Sequence, residues 1–248
     1  MDEKYWDSMA VDYDGEIFSV LANDRKEVIV SAIQQFGSRK AVACDFGCGI
    51  GKFLPALAKN FRSVYALDLS GELLDHARQN CNKSGNVSFA KADLSKNRLK
   101  IPKVDFGLCV NVLIMSSRKV RIAVFNTIAK YLRTGAHLVL VVPSLESALF
   151  SDYQLVQWNM KEGFGYDEAV SDVGADSNAL IRRGLVEIDG VPTKHYLKEE
   201  LIAFLKDKHF EIISIEKVEY SWDTEFDDPP KWMKEPYPWD WLLIIKKS

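Results

Sequence analysis

Hydrophobic and polar positions follow two different periodicities along the chain as far as Pro143. Short, nearly continuous apolar runs predict buried strands at residues 41–45, 63–68, 87–92, 104–110 and 137–142. Apolar residues at helical spacing lie between these runs, and the longest such segment predicts a helix over residues 118–132. Strands that alternate with helices predict a parallel sheet covered on both faces, and right-handed crossovers make such a sheet doubly wound.

Two of the predicted helices carry start signals. Residues 23–27 are typical of a helix start, with Glu27 placed to complete a capping box. Ser70 is expected to cap a helix that carries Leu73, Leu74 and Ala77 on its apolar face.

The regular alternation stops after Pro143. Residues 144–191 are aromatic, polar and interrupted by glycines, and residues 181–193 predict a hairpin around Asp189 and Gly190. The alternation then resumes, with a helix over residues 197–208 and strands over residues 211–220 and 241–246. We therefore interpret the chain as one domain over residues 1–248, with an insertion at residues 144–194.

Composition is that of an ordinary globular protein. The 248 residues are 47% hydrophobic and 27% charged, with a net charge of −3, which argues weakly against a nucleic-acid partner. The charged first residues lack the apolar segment of a secretory signal, and the longest apolar run is too short to span a bilayer. The four cysteines do not have the spacing of a zinc site and are expected to be reduced thiols, so a cytoplasmic location without membrane attachment is predicted.

A glycine loop follows the first predicted strand, where open α/β sheets bind ligands. The loop has the pattern D-x-G-x-G-x-G, formed by Asp45, Gly47, Gly49 and Gly51. A dinucleotide site requires its third glycine one residue later, at the position of Lys52, and Asp45 would repel a pyrophosphate. An acidic residue here suits a ligand that carries an ammonium group, as the amino-acid end of S-adenosylmethionine does.

The chain resembles the class I S-adenosylmethionine-dependent methyltransferases of the small-molecule type. Four segments match the motifs of that family in order, at residues 42–51, 64–70, 90–94 and 104–113, and the resemblance extends from about Tyr5 to Ile245. It implies an α/β fold with a doubly wound, mostly parallel seven-stranded sheet, an antiparallel last strand and a lid insertion after the fifth strand. It also implies S-adenosylmethionine as the cofactor and an N-terminal lid within residues 1–37.

The resemblance assigns cofactor contacts to residues at strand ends. The glycine loop, including Cys48, would approach the cofactor closely, and Asp68 would accept hydrogen bonds from both ribose hydroxyls. Asp93 would accept from the adenine amino group, although a role as a helix or turn cap is an alternative. Two leucines would contact the adenine, through the side chain of Leu69 and the backbone N–H of Leu94.

Further contacts come from the end of the fourth strand and from the N-terminus. Asn111 would face the methionine portion of the cofactor, with a plain turn residue as the alternative. Tyr13 resembles a tyrosine that covers the cofactor in many family members, and Tyr5 and Trp6 would either join this lid or pack on the sheet edge. His209 stands where the family often has a glycine, which predicts a left-handed or otherwise altered helix end.

Methyl transfer requires alignment and exclusion of water, and it requires a base only where the acceptor must lose a proton. His195, at the end of the insertion, is the candidate base, and His195 or Tyr196 is predicted to contact the acceptor. A residue at the start of the following helix is the structural alternative.

The insertion is expected to form a substrate lid. Its aromatic residues are Tyr153, Trp158, Phe164 and Tyr166. Its acidic residues, which would suit a cationic acceptor unless they form a solvated face, are Asp152, Glu162, Asp167, Glu168, Asp172 and Asp176.

These observations predict methyl transfer to a small-molecule acceptor, with N, O or C as the methylated atom. A protein or RNA acceptor is one alternative, and a module that binds S-adenosylmethionine without turning it over is another. A nicotinamide oxidoreductase is disfavoured by Gly51 and Lys52, and the chain is expected to be a monomer or a homodimer.

Overall fold

The computed structural model describes residues 1–10, 13, 19–82, 84–96, 98–173 and 178–248, without the side chains of residues 172 and 178. In these ranges the strands, in chain order, are β1 (Val42–Phe46), β2 (Ser63–Asp68), β3 (Val87–Lys91), β4 (Val104–Val110), β5 (Leu132–Pro143), β6 (Leu185–Ile188), β7 (Val191–Lys194), β8 (Phe210–Glu219) and β9 (Trp239–Lys247).

Seven of these strands form one sheet in the order β3-β2-β1-β4-β5-β9-β8. The pairs among β1 to β5 are parallel, and β9 is antiparallel to both of its neighbours. This confirms the predicted seven-stranded, mostly parallel sheet with an antiparallel last strand. The chain builds β2 and β3 on one side of β1 and then crosses to β4 on the other, so the strand order reverses between β1 and β4.

Helices cover both faces of this sheet. In the described residues they are α1 (Glu3–Met9), α2 (Val20–Asn23), α3 (Val28–Phe36), α4 (Leu54–Asn60), α5 (Gly71–Asn80), α6 (Arg118–Tyr131), α7 (Leu145–Lys161), α8 (Tyr166–Asp172), α9 (Asn178–Ile181) and α10 (Lys198–Asp207). None of them is long and apolar enough to cross a membrane.

Two separate apolar clusters fill the space between helices and sheet. One contains Phe125 of α6 and Leu201 of α10, and the other contains Ile33 of α3, Leu57 of α4 and Leu74 of α5. Because both faces are covered, all five residues of β1 are buried, which explains why they are apolar apart from Asp45.

Helix caps follow the prediction in one place and depart from it in another. The Ser70 hydroxyl accepts a hydrogen bond from the Leu73 amide at 3.1 Å, as predicted for the start of α5. The capping box predicted at Glu27 is wrong, because Glu27 adopts a left-handed conformation and its side chain caps nothing. Asp24 caps α3 instead, since its carboxylate accepts from the Ile29 amide at 2.9 Å.

His209 follows α10 with a φ of +58°, so the predicted left-handed helix end is confirmed. Glycine adopts this conformation without steric cost, whereas a residue with a Cβ atom is strained there.

The described residues between β5 and α10 form three helices and a two-stranded hairpin. Strands β6 and β7 are antiparallel and are joined by Asp189 and Gly190, whose φ values of +49° and +74° suit a type I′ turn. The turn lies where it was predicted. The predicted start of the hairpin at Ile181 is wrong, because that residue ends α9 and β6 begins at Leu185.

Candidate functional site

A cleft of about 1040 Å³ lies at the carboxyl ends of the parallel strands. The residues that line it come from the ends of β1 to β5, from α1, from residues 19–21 and from the β6–β7 hairpin. Of the cofactor residues predicted from the sequence, the cleft is lined by Tyr13, Asp45, Gly47, Cys48, Gly49, Asp68, Leu69, Asp93, Leu94 and Asn111.

The glycine loop is fixed against the end of β2. The Gly47 and Cys48 amides both donate to the Leu67 carbonyl, at 2.7 and 2.9 Å. All three glycines have positive φ, which accounts for the glycine pattern. Gly51 does not line the cleft, and a Cβ atom there would lie 2.8 Å from Leu54 and 3.1 Å from Ala77. Its role is therefore to allow close packing of α4 against α5.

Asp68 links β2 to the glycine loop. One carboxylate oxygen accepts from the Gly49 amide at 2.8 Å and the other accepts from the Ser70 amide at 3.0 Å. Burial raises the pKa of Asp68, and the hydrogen bonds from Ser70, Gly49 and Leu69 oppose that change. Each carboxylate oxygen retains acceptor capacity for a ligand donor.

Asp45, the residue before the last one of β1, is a buried carboxyl group that lines the cleft and is 3% exposed. Burial and, secondarily, the nearby Asp68 carboxylate raise the pKa of Asp45 to about 8. The side chain is therefore largely neutral at pH 7 and is placed where a cationic ligand group would stabilise its charged form.

Asp93 follows β3 and caps the short helical turn Leu94–Lys96. Its Oδ1 accepts from the Ser95 amide at 2.9 Å and from the Ser95 hydroxyl at 2.6 Å, and Lys96 lies 3.2 Å from its Oδ2. Partial burial tends to raise the pKa of Asp93, but these hydrogen bonds outweigh it and lower the pKa. Asp93 thus has the predicted capping role and also lines the cleft.

Asn111 lies at the end of β4 in a left-handed conformation, with a φ of +51°. Its backbone N–H donates to the Val141 carbonyl at 3.0 Å, and its side-chain Nδ2 donates to Asp240 at 3.1 Å. The same Asp240 oxygen accepts from the Tyr220 hydroxyl at 2.8 Å. Asp240, which the sequence analysis did not single out, fixes the Asn111 side chain at the floor of the cleft.

Helix α1 covers one end of the cleft. Asp7 accepts a hydrogen bond from the Ser70 hydroxyl at 2.5 Å, and Glu3 forms an ion pair with Lys91 at 2.8 Å. Tyr5 and Trp6 line the cleft from the same helix. Both anchors join residues more than sixty positions apart, so no local sequence pattern identifies them.

Tyr13 lies against the glycine loop. A Cβ atom at Gly49 would lie 2.7 Å from the Tyr13 hydroxyl, so this contact depends on glycine. The Lys52 ammonium lies 5.9 Å from the centre of the Tyr13 ring.

His195 and Tyr196 do not line the cleft. Both are buried, at 8% exposure, and the Tyr196 hydroxyl donates to the Leu113 carbonyl at 2.7 Å. The His195 Nδ1 lies 3.1 Å from the Thr193 carbonyl. Burial raises the pKa of Tyr196. This arrangement supports the wall of the cleft and does not offer either side chain to a ligand there.

Among the described residues of the insertion, those that line the cleft belong to the hairpin and are Ile188, Asp189, Val191 and Thr193. The aromatic residues of the insertion lie elsewhere, and Tyr153 and Tyr166 are 55% and 64% exposed. Among its acidic residues, Asp152, Glu162, Asp167 and Glu168 do not line the cleft, and Asp176 and the side chain of Asp172 lie outside the described residues. The hairpin residues were missed because they resemble an ordinary strand pair in sequence.

Residues 43–135 match the model of a methyltransferase domain family. The chain is also 36% identical over 83 residues to a ubiquinone biosynthesis O-methyltransferase of Methylococcus capsulatus. That alignment covers 33% of this chain and 32% of the enzyme, so the matched part is about a third of the relative's length.

Solved structures share the fold over nearly the whole chain. A magnesium protoporphyrin IX methyltransferase from Synechocystis with bound S-adenosylhomocysteine has a TM-score of 0.63 at 18% identity, covering 99% of this chain and 98% of that one. An N-methyltransferase from Bradyrhizobium japonicum with the same ligand has a TM-score of 0.62 at 11% identity, covering 99% and 98%. A methyltransferase from Methanosarcina mazei has a TM-score of 0.60 at 19% identity, covering 87% and 96%. Residues 43–135 are thus similar to a methyltransferase domain, and the chain shares the fold of these solved methyltransferases.

Proposed function

We propose that this protein binds S-adenosylmethionine and transfers its methyl group to a small-molecule acceptor. The observation that carries the proposal is the row of three carboxyl groups, Asp45, Asp68 and Asp93, at the ends of the adjacent strands β1, β2 and β3 along one cleft. S-adenosylmethionine carries a matching series of hydrogen-bond donors in its ammonium group, its ribose hydroxyls and its adenine amine.

The chemistry of each carboxyl group fits one part of this cofactor. Asp45 would hold the ammonium group, which would favour ionisation of the buried carboxyl group. Asp68 would accept from the ribose hydroxyls with the lone pairs that Gly49 and Ser70 leave available. A pyrophosphate in this cleft would face the carboxyl groups of Asp45 and Asp68, and this repulsion disfavours a dinucleotide.

The remaining residues would enclose the ligand. Leu69 and Leu94 would flank the adenine, and Tyr13, Tyr5 and Trp6 would cover the cleft from the N-terminal side. When bound, the cofactor supplies a methyl group already activated for displacement, so the protein contributes alignment and exclusion of water.

The form of the cleft supports a small acceptor. Helix α1 and the β6–β7 hairpin both overhang the strand ends, and the cleft is at the upper limit of the 300–1,000 Å³ that is usual for a single ligand. It therefore offers room for the cofactor and a second small molecule.

We place this activity in the cytoplasm, where the four buried free cysteines would stay reduced.

Calorimetric titration with S-adenosylmethionine and S-adenosylhomocysteine tests the proposal. We expect micromolar binding to the wild type and a roughly tenfold to hundredfold loss in Asp68→Ala, because the ribose donors lose a buried partner. Asp75→Ala is the matched control, since Asp75 lies on the exposed face of α5 and outside the cleft. Absence of binding to folded wild-type protein would overturn the proposal. Binding without methyl transfer to any member of a broad panel of acceptors would instead favour a non-catalytic binding module.

A further inference from the structure

We propose that the acceptor bound by this cleft is an uncharged, largely apolar molecule, held in the half of the cleft between β4, β5 and the β6–β7 hairpin. The inference rests on the proposed function and adds the substrate class. Two observations support it. The side chains that line this half of the cleft are largely apolar, and the cationic side chains nearby are paired with other groups and do not line it.

The wall consists of apolar side chains from three segments. Ile114 follows β4, Pro143 ends β5, and Ile188 and Val191 flank the turn of the hairpin. Thr193 also lines the cleft, but its hydroxyl donates to the Val191 carbonyl at 3.0 Å and is therefore already paired.

Backbone hydrogen bonds make these three segments one surface. The Lys194 amide donates to the Ile114 carbonyl at 2.8 Å, and the Tyr196 amide donates to the Pro143 carbonyl at 2.8 Å. The chain that leaves the hairpin is thus bonded to the loop after β4 and to the end of β5. The hairpin is therefore held against the carboxyl ends of β4 and β5 by backbone hydrogen bonds.

The cations near this wall are paired on its far side. The buried Lys194 ammonium lies 2.7 Å from Glu200 and 3.3 Å from the Arg183 carbonyl. Arg121 donates to the Met115 carbonyl. Neither cation lines the cleft, so neither is placed to hold a carboxylate or a phosphate on the acceptor.

Carboxylates are similarly absent from the inner part of this half among the described residues. Asp189 is exposed at the turn of the hairpin, and Asp240 lies behind Asn111 and does not line the cleft. A charged acceptor would lose hydration on entering this half without gaining a partner, whereas an apolar acceptor would gain from burial.

A matched series of ligands tests this inference. Benzyl alcohol, benzoate and benzylamine share a ring and differ in charge, and their dissociation constants are measured by NMR on protein saturated with S-adenosylhomocysteine. We expect benzyl alcohol to bind at least fivefold more tightly than either charged compound. Equal or tighter binding of benzoate or benzylamine, or no binding by any of the three, would overturn the inference.

Two exposed isoleucines provide the variant and its control. Ile188→Lys places a cation on the wall and is expected to shift the preference toward benzoate by at least fivefold. Ile213→Lys introduces the same change on β8, where Ile213 is 45% exposed and outside the cleft, and it is expected to leave the ranking unchanged. An Ile188→Lys variant that ranks the three compounds as the wild type does would contradict the assignment of the wall.

The two proposals fail in different ways. Calorimetry with S-adenosylhomocysteine reports on the cofactor site alone. If that ligand does not bind, the proposed function is wrong. The three ring compounds are then titrated against the protein without cofactor, and the inference about the apolar half of the cleft still requires benzyl alcohol to bind most tightly.

Discussion

The hydroxyl of Tyr196 donates a hydrogen bond to the carbonyl of Leu113, 83 positions earlier in the chain, at 2.7 Å. Tyr196 follows the β6–β7 hairpin. Leu113 belongs to the loop after β4, and its two chain neighbours, Val112 and Ile114, line the cleft. This bond therefore joins the segment that follows the hairpin to the loop that lines the candidate site. It assigns Tyr196 a positioning role, in place of the direct acceptor contact predicted from its sequence position.

Replacing Tyr196 by phenylalanine removes the donor and leaves a buried carbonyl without a partner. We expect the free energy of unfolding to fall by about 1–3 kcal/mol, measured by urea denaturation. Because the bond lies outside the cofactor half of the cleft, affinity for S-adenosylhomocysteine should change little. Tyr166→Phe is the control, since Tyr166 is 64% exposed, and its stability should match that of the wild type. Equal stability of the two variants would show that the bond contributes nothing.

The raised pKa of Asp45 predicts how stability depends on pH. The folded protein keeps this carboxyl group protonated up to about pH 8, whereas the unfolded chain ionises near pH 4, so the folded state binds more protons between these values. Stability of the ligand-free protein should therefore fall as the pH rises from 5 to 7.5, by at most about 1.4 kcal/mol per pH unit from this group. Asp45→Asn should remove this part of the slope. Identical slopes in denaturation of the two proteins would contradict the assignment.

Alanine substitutions at Gly49 and Gly135 distinguish the effect of steric crowding from the effect of backbone strain. Both have positive φ, at +52° and +80°, but a Cβ atom at Gly49 would approach the Tyr13 hydroxyl, whereas one at Gly135 would meet nothing within 4 Å. We expect Gly49→Ala to weaken S-adenosylmethionine binding at least tenfold in calorimetry. Gly135→Ala should lose about 1 kcal/mol of stability and keep its affinity. Unaltered binding in Gly49→Ala would show that the contact with Tyr13 is not needed.

His209 offers a stabilising substitution. Its φ of +58° strains a residue with a Cβ atom, so His209→Gly should raise the free energy of unfolding by about 0.5–1 kcal/mol, measured by denaturant titration. His209→Ala keeps the Cβ atom and is the control, for which no gain is expected. A stability gain in the alanine variant as large as that in the glycine variant would point to loss of the imidazole rather than relief of strain.

Local sequence patterns predicted the features that depend on neighbouring residues. Nearly continuous apolar runs identified the buried strands, since both faces of a parallel sheet are covered, and the spacing of the glycines identified the loop after β1. The same reasoning failed for the start of α3. Asp24 and Glu27 are both acidic residues near that start, and which of them reaches an unpaired amide depends on the backbone conformation of Glu27.

The sequence by itself determined the sheet, its glycine loop and the acidic residues at the ends of β1, β2 and β3, because each of these features lies within a few consecutive residues. Only the tertiary structure decided what surrounds them. The pairing of Glu3 with Lys91, the bond from Tyr196 to Leu113 and the placement of the hairpin on the cleft all join distant parts of the chain. Such contacts form when whole elements pack together, and they determine which polar groups face the cleft and which are paired behind its wall.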